Sequence, residues 1–411
     1  MDSRELYPSD EQRRRIMDFI MAAGETLLEN GAEVFRVEQT MEIMARSFHL
    51  REFHVYVLTN GIFASAGTAE IAEVRNVPVR TTHLGRVAAV NALSREIAAG
   101  GVTLDEAEHC LAEARRIPFP KGKTQLLAGM SGTACFALIF GGTIRSALAA
   151  AAAGFIVSGY LLLCENRRLS NGFRKISAAA LITLVCILGC HLLDTEASHA
   201  IIGALMILTP GIAFTMGIRD FVQGDYLSGT IRMIDALLHR HRPRAEPYFD
   251  PDGGDGGMMT LTSTQIGQLA AQFFLAGAGT LSFAVLFACP RRTLPCCALV
   301  GAVGWFIYEL AVLYGADAAA ASLIAVIPLT LVSRLFAILL KTPVTVFLLT
   351  GIFPLVPGAG IYYTAYYFIQ GENALSLANG ISTFKVAVAL AVGIALVLGL
   401  PMPSGHAWKR K

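Results

Sequence analysis

Two residue pairs, Pro210-Gly211 and Pro357-Gly358, interrupt apolar stretches that would otherwise run on as helices. Proline removes a backbone donor and clashes with the preceding turn, while glycine adds freedom, so the pair breaks a helix. Inside a membrane the freed N–H and C=O groups are tolerated only where they line a cavity. The chemistry on offer is therefore ligand binding, with unwound backbone facing a substrate carboxylate. Thr209, Thr215, Tyr362 and Tyr363 are the neighbouring hydroxyl groups that would complete such a site. The competing reading is a kinked packing position, because Pro and Gly are frequent in membrane helices.

The pairs belong to a repeat, the feature to seek first in any sequence. Thr209-Pro210-Gly211 and, further on, Phe221-Val222-Gln223-Gly224-Asp225 are echoed 147 residues later by Val356-Pro357-Gly358 and Phe368-Ile369-Gln370-Gly371-Glu372. At the same offset Phe136-Ala137 meets Phe283-Ala284, Gly154 meets Gly301, and Thr183-Leu184-Val185 meets Thr330-Leu331-Val332. The later copy contains five apolar segments. An odd number per copy places consecutive copies in opposite orientations, and inverted repeats mark secondary transporters. The two Gln-Gly-acid turns then fall on opposite membrane faces. The first, after Arg219-Asp220, is expected inside; the second, after the aromatic cluster Tyr362, Tyr363, Tyr366 and Tyr367, is expected at the outer interface. Arg219, Asp220, Gln223, Asp225, Gln370 and Glu372 are thus candidate coupling or gating residues. Glu309 joins them as an ionisable group inside an apolar span, either a proton carrier or a residue solvated near the interface.

Stepping from residues to elements, composition decides the class. Hydrophobic residues make up 54% and charged residues 16%, with mean hydropathy +0.54; about 25% charged is usual for soluble proteins. A net charge of +2 argues against a nucleic-acid partner. A spanning helix needs roughly 20 apolar residues. The stretches 126–142, 146–164, 176–193, 199–218, 266–289, 294–314, 318–340, 344–368 and 375–400 qualify. Lys and Arg concentrate in cytoplasmic loops, and they do so here only if a tenth span exists near 226–252. Yet His239-Arg240-His241-Arg242-Pro243-Arg244 cannot cross a bilayer as written, at ~2.5–3.5 kcal/mol per mid-membrane charge. The codons possible for 239–253, read one nucleotide later, permit an apolar run. A compensated frame shift is the sequence's own reconciliation, with a genuine polar loop as the alternative. Resequencing at His239 decides between them.

The fold class expected is an α-helical integral membrane protein with two inverted five-helix repeats, preceded by a small soluble α+β head. The expected boundaries are 1–122 for a cytoplasmic head, 123–240 for the first membrane repeat and 241–263 for a polar linker or frame-shifted fifth span. The second repeat follows over 264–402, then a basic cytoplasmic tail over 403–411. In the head, 11–47 has helical spacing with Gly24 and Gly31 as weak points. His54–Leu58, Ile62–Ala64 and Ile71–Val79 read as strands. His83–Ala99 and Leu104–Arg115 read as helices, the latter opened by a Thr103/Glu106 capping box. Glu33, Arg36 and Glu38 form a charged cluster on one helix, which solvated pairing would explain. The cysteines form no CxxC pair and have no histidine at ligand spacing. No cofactor, metal site or enzymatic constellation is expected.

With these residues in view, the chain resembles the threonine/serine exporter (ThrE-type) family. The resemblance rests on Asn30-Gly31-Ala32-Glu33-Val34-Phe35-Arg36-Val37-Glu38, on Thr59-Asn60-Gly61-Ile62-Phe63-Ala64-Ser65 and on Asn91-Ala92-Leu93-Ser94-Arg95. It continues through Pro210-Gly211, Arg219-Asp220, Gly224-Asp225, Gly301-Ala302-Val303-Gly304-Trp305 and Pro354-Leu355-Val356-Pro357-Gly358, covering roughly 15–400. It implies a multi-pass protein of the bacterial inner membrane, with head and C-terminus cytoplasmic. Its implied work is export of small hydrophilic metabolites, foremost threonine/serine-type amino acids, coupled to an ion gradient, with protons as the implied ion. The implied partners are the small-molecule substrate and the lipid bilayer, with a homo-oligomer left open. In some bacteria the two modules are separate subunits associated with succinate-like dicarboxylates, so a dicarboxylate exporter is the alternative. A channel or a non-transporting membrane partner is the second alternative.

Overall fold

The structure, a computed structural model, describes residues 9–67, 71–77, 81–164, 171–208, 215–219 and 262–401. Expectations for Thr209, Pro210, Gly211, Asp220, Gln223 and Asp225, for segment 239–253 and for tail 403–411 lie outside the described residues. The chain divides into two units. The first joins Met1–Lys121 with Ala284–Pro295 and Leu335–Phe347, and the second holds the rest.

Unit 1 is built from α1 (Asp10–Glu29), α2 (Val34–Ser47), β1 (His54–Leu58), β2 (Gly61–Ala66), β3 (Ile71–Asn76), α3 (Leu84–Ala98) and α4 (Leu104–Arg116). Ser9 caps α1 and Thr103 caps α4, each through a full capping box that satisfies orphan amide groups. Apolar residues at helical spacing, Ile16, Phe19, Ile20, Ala23 and Leu27, point into one core with Met41, Met44, Ile62, Val87 and Leu111. The strands form an antiparallel sheet in the order β1-β2-β3. On β2, Ile62, Ala64 and Ala66 are buried while Phe63 faces out, the period of two expected of a half-covered sheet. Gly31 ends the first helix with φ +88°, a region that favours glycine. Gly24 lies within α1 under the Met41 thioether, which a Cβ there would have to displace.

Unit 2 and the shared segments carry the apolar helices. In order they are α5 (Gly122–Ile139), α6 (Ile144–Cys164), α7 (Asn171–Leu192), α8 (Ser198–Leu205), α9 (Ser263–Leu286) and α10 (Leu294–Leu313), then α11 (Ala318–Leu339), α12 (Val344–Gly351), α13 (Gly358–Ile369) and α14 (Asn373–Gly399). Among the described residues six helices are long and apolar enough to cross a membrane, or seven if α12 and α13 make one bent span. This is the architecture of a multi-pass membrane protein. The first expected span is α5, whose start at Lys123, Thr124 and Gln125 leaves it less apolar than the six. Of the fourth expected span, α8 covers Ser198–Leu205, a 3-10 turn covers Met206–Leu208, and residues 215–219 are helical.

The 147-residue offset reappears in the backbone. Helix α7 spans Asn171–Leu192 and α11 spans Ala318–Leu339; the 3-10 turns span Met206–Leu208 and Phe353–Leu355. Helix α5 ends with Gly141 donating to Leu138 and Gly142 to Ala137, and α9 ends with Ala288 donating to Val285 and Cys289 to Ala284. Residue for residue these are the same C-terminal cap. The residues in the left-handed region correspond too, Gly141 with Ala288 and Asp194 with Lys341. Side chains follow: a Cβ on Gly154 would strike the Thr133 hydroxyl, and one on Gly301 the Thr280 hydroxyl.

Candidate functional site

The break at Pro357 has a simple backbone origin. Helix α12 ends at Gly351, Phe353–Leu355 form the 3-10 turn, and Val356 is extended with ψ 130°. Pro357, at φ −75° and ψ 53°, then caps α13, and the two helical pieces bend by 47°. The first N–H groups of α13 have no carbonyl within their own helix, as at every helix start. Gly358 lies against the Met206 sulfur, which a Cβ would approach to 2.8 Å, and Gly360 lies against the Thr383 hydroxyl. Met206 belongs to the 3-10 turn Met206–Leu208, which stands 147 residues before the turn Phe353–Leu355, so the start of α13 packs against that earlier turn.

Beyond the break, Tyr362 is 6% exposed and packs in a cluster with Ala150, Val157, Cys186, Ile201 and Ile202. Tyr363 packs against the same cluster. Tyr362 stacks on Tyr366 and Tyr363 on Tyr367, each pair with centroids 6.3 Å apart. Tyr366 and Tyr367 are buried as well. Residues four apart on α13 share a face, which is why these tyrosines stack in pairs. Gln370 closes the row by donating its amide to the Tyr366 hydroxyl at 2.9 Å. Gly371, with φ +80°, makes the turn, and Glu372 caps α14.

Thr215 and Arg219 are both fully buried. Between them and α14, Ile218 packs with Ile361, Ala387 and Ala391. Thr215 and Tyr362 stand 147 residues apart, the offset of the sequence repeat. Their hydroxyl oxygens, Thr215 Oγ1 and Tyr362 Oη, are buried without a hydrogen-bond partner among the described residues. Glu309 is half-buried on α10 beside Tyr308, whose ring stacks on Trp305 with centroids 5.0 Å apart. Trp305 donates to Gln272 Oε1 on α9 at 3.0 Å.

The head motif plays three separate parts. Glu33 caps α2 and is buried, Glu38 Oε1 accepts the Val57 N–H of β1 at 2.9 Å, and Arg36 donates to Gln39 with its guanidinium over Phe35. Sequence reasoning missed a second set in unit 1. The first N–H groups of α3, on Leu84 and Gly85, donate to the carbonyls of Phe287 and Ala288 at 2.9 Å each. These carbonyls follow the C-terminus of α9, so the positive N-terminal end of α3 meets acceptors at a negative helix end. Arg95 Nη2 donates to the Lys341 carbonyl at 2.7 Å. Behind the junction, buried His83 accepts the Arg86 N–H at Nδ1 and meets the Pro118 carbonyl through Nε2 at 3.3 Å. Burial holds its pKa below the ordinary histidine value, and Arg86 adds to the effect. Gly85 was the one available signal: a Cβ there would approach the Ala288 carbonyl oxygen to 2.8 Å.

Comparison with known proteins gives matches over both halves. The family model described as "Putative threonine/serine exporter" matches residues 18–239, and one described as "Threonine/Serine exporter, ThrE" matches residues 272–399. A protein of Mycobacterium tuberculosis named "Probable threonine/serine exporter" is 24% identical over 234 residues, which is 56% of this chain and 44% of that protein. The chain thus spans less than half the length of that relative. The "Threonine/serine exporter" of Corynebacterium glutamicum is 22% identical over 404 residues, 93% of this chain and 81% of the relative. No solved structure matches. The first family match stops at His239, where the polar run begins.

Proposed function

The chain belongs to the threonine/serine exporter family, and we propose that it exports small hydrophilic amino acids of the threonine and serine type across the bacterial inner membrane. The observation that carries this reading is the bent break before Pro357, where Gly358 is seated on Met206 of the earlier 3-10 turn, with buried unpartnered hydroxyls at Thr215 and Tyr362. A helix break of this kind can supply the N–H groups that a carboxylate needs, as in transporters whose broken helices hold their cargo. The relatives' names support amino acids as that cargo.

An inverted pair of copies is part of the proposal. What supports it is the count of apolar segments in the later copy, five, since an odd number per copy turns consecutive copies in opposite orientations. The same counting supports a crossing between 219 and 263, the fifth span that the loop charges ask for, and a cytoplasmic head and tail. Proton coupling is assigned to Glu309, the described acidic group within a long apolar helix.

Counterflow in proteoliposomes tests the reading. Exchange of labelled threonine establishes the carrier, exchange of succinate alone moves the substrate class to dicarboxylates, and conductance without exchange makes the protein a channel. Glu309→Gln should leave threonine exchange intact and abolish pH-driven net efflux; unchanged pH dependence removes Glu309 from the coupling role.

A further inference from the structure

Helices α5 and α9, which correspond at the 147-residue offset, pack on each other through the same residues. A Cβ added at Gly132 on α5 would approach the Ser282 Cβ to 3.1 Å and the Phe283 ring to 3.2 Å. A Cβ added at Gly279 on α9 would approach the Phe136 ring to 3.0 Å and the Cys135 Cβ to 3.4 Å. Gly132 and Gly279, Cys135 and Ser282, and Phe136 and Phe283 are all pairs at that offset. Each glycine therefore seats the other copy's phenylalanine, with the same neighbour beside it. The two rings, 0% and 1% exposed, meet edge to face with centroids 5.2 Å apart. Contacts that pair i with j and j with i are the mark of a two-fold axis. That axis passes between α5 and α9. Phe353 lies off it, 4.0 Å from Phe283 and 5.9 Å from Phe136 by ring centroids.

We infer that the α5–α9 seam is the fixed bearing of the transport cycle, a contact that stays closed while the two copies rock against each other. This rests on the proposed export function with inverted copies, and it names the part that does not move. Symmetry is the reason. With the copies inverted, exchanging their conformations turns a site open to one membrane face into a site open to the other. A contact that maps onto itself under that exchange is present in both states. Gly132 on Phe283 maps onto Gly279 on Phe136, so the seam qualifies. Contacts off the axis are the ones the exchange alters. The 3-10 turn bearing Phe353 is among them, directly before the break at Pro357. The packing also suits the part: glycine lets two helix backbones approach closely, so they turn on a narrow line of contact rather than on long side chains.

Ser131 and Ser282 supply the test, since their hydroxyls already lie 2.9 Å apart across the seam. In a background without native cysteines, Ser131→Cys combined with Ser282→Cys should form a disulfide in nearly all molecules under mild oxidation. Threonine counterflow by the crosslinked protein should match that of the reduced protein. Failure to crosslink overturns the inference, and so does counterflow that is lost on oxidation and restored by reduction. A second measurement needs neither transport nor cysteines. Gly132→Ala and Gly279→Ala each push one ring of the same pair, and overpacking destabilises. Both should therefore lower the melting temperature of the detergent-solubilised protein, and by similar amounts. Clearly unequal falls, or no fall in either variant, overturn the two-fold seam. A wild-type chain that exchanges no amino acid, with similar falls in melting, instead sinks the export reading and leaves the seam standing as the axis between the copies.

Discussion

The two copies share a backbone and differ in company. In the earlier copy, the loops after α5 and α7 bond to one another: Arg145 donates to the Leu193 and Asp194 carbonyls at 3.3 and 3.5 Å, and the Thr143 and Thr195 hydroxyls lie 3.2 Å apart. In the later copy, the corresponding Arg292 reaches Thr342 at 3.5 Å, but the neighbouring carbonyls of Phe287, Ala288 and Lys341 are taken by α3 and Arg95. Ala288 holds a left-handed conformation that Gly141 adopts freely, at a cost of about 1–2 kcal/mol for a residue with a Cβ. Its carbonyl is bonded there by Gly85. Duplication thus fixes the helices and caps, and side chains at a few loop positions decide which copy receives a partner.

The comparison can be broken most forcefully at the interruptions. Gly358→Leu must displace Met206, and together with Gly211→Leu it should abolish threonine counterflow while membrane insertion persists. Wild-type rates in the double variant would remove the breaks from the substrate path.

Inversion is tested next, by Gln223→Cys and Gln370→Cys in a background without native cysteines. A membrane-impermeant thiol reagent applied to intact cells should label position 370 and spare position 223. Equal labelling would make the copies parallel and leave the duplication without its transport rationale.

A finer contrast lies at Thr133 and Thr280, which fill the same place in the two copies. Thr133 Oγ1 donates to the Ala150 carbonyl at 2.8 Å, whereas Thr280 Oγ1 has no partner among the described residues. Thr133→Val should cost about 1 kcal/mol, the net worth of one hydrogen bond, and Thr280→Val should be neutral or stabilising. Melting of the detergent-solubilised variants reads the difference, and equal losses would mean the two sites are not equivalent.

The smallest effect belongs to the docked end of the later copy. His83 is held neutral, so the folded chain binds fewer protons than the unfolded one below the ordinary histidine pKa of about 6.5. Stability contributed by the neutral ring is complete above that value and is lost as the pH falls towards the lowered folded value. Hydrogen exchange at Leu84 and Gly85 should accelerate over that window in the wild type and stay flat in His83→Asn, which keeps a capping side chain. An equally steep response in the variant would move the effect elsewhere.

Much of this was legible in the sequence, and the exceptions share a cause. Alternating β2 residues, the Thr103/Glu106 box and the helical stripe of α1 write their structure in side-chain period and cap chemistry. The duplication was legible because Pro-Gly and Gln-Gly-acid recur in register. The seating of α3 on α9 was not, since it is made of main-chain N–H and C=O groups that every sequence carries, with Gly85 as its faint trace. The burial of Tyr362, Tyr366 and Tyr367 was hidden for another reason. Tyrosine suits exposed and buried positions alike, and only the neighbours that pack on α13 choose between them.

The arrangement of unit 1 carries a consequence for how such a protein is assembled. Its core lies near the start of the chain, but the carbonyls it holds at Phe287, Ala288 and Lys341 belong to the later copy. Severed between 240 and 262, the chain would become two polypeptides, and those same bonds would turn from internal ties into a recognition surface. One half would then carry the adaptor and the other its docking points, so a gene split there would start with a ready means of telling its own mate from a stranger's.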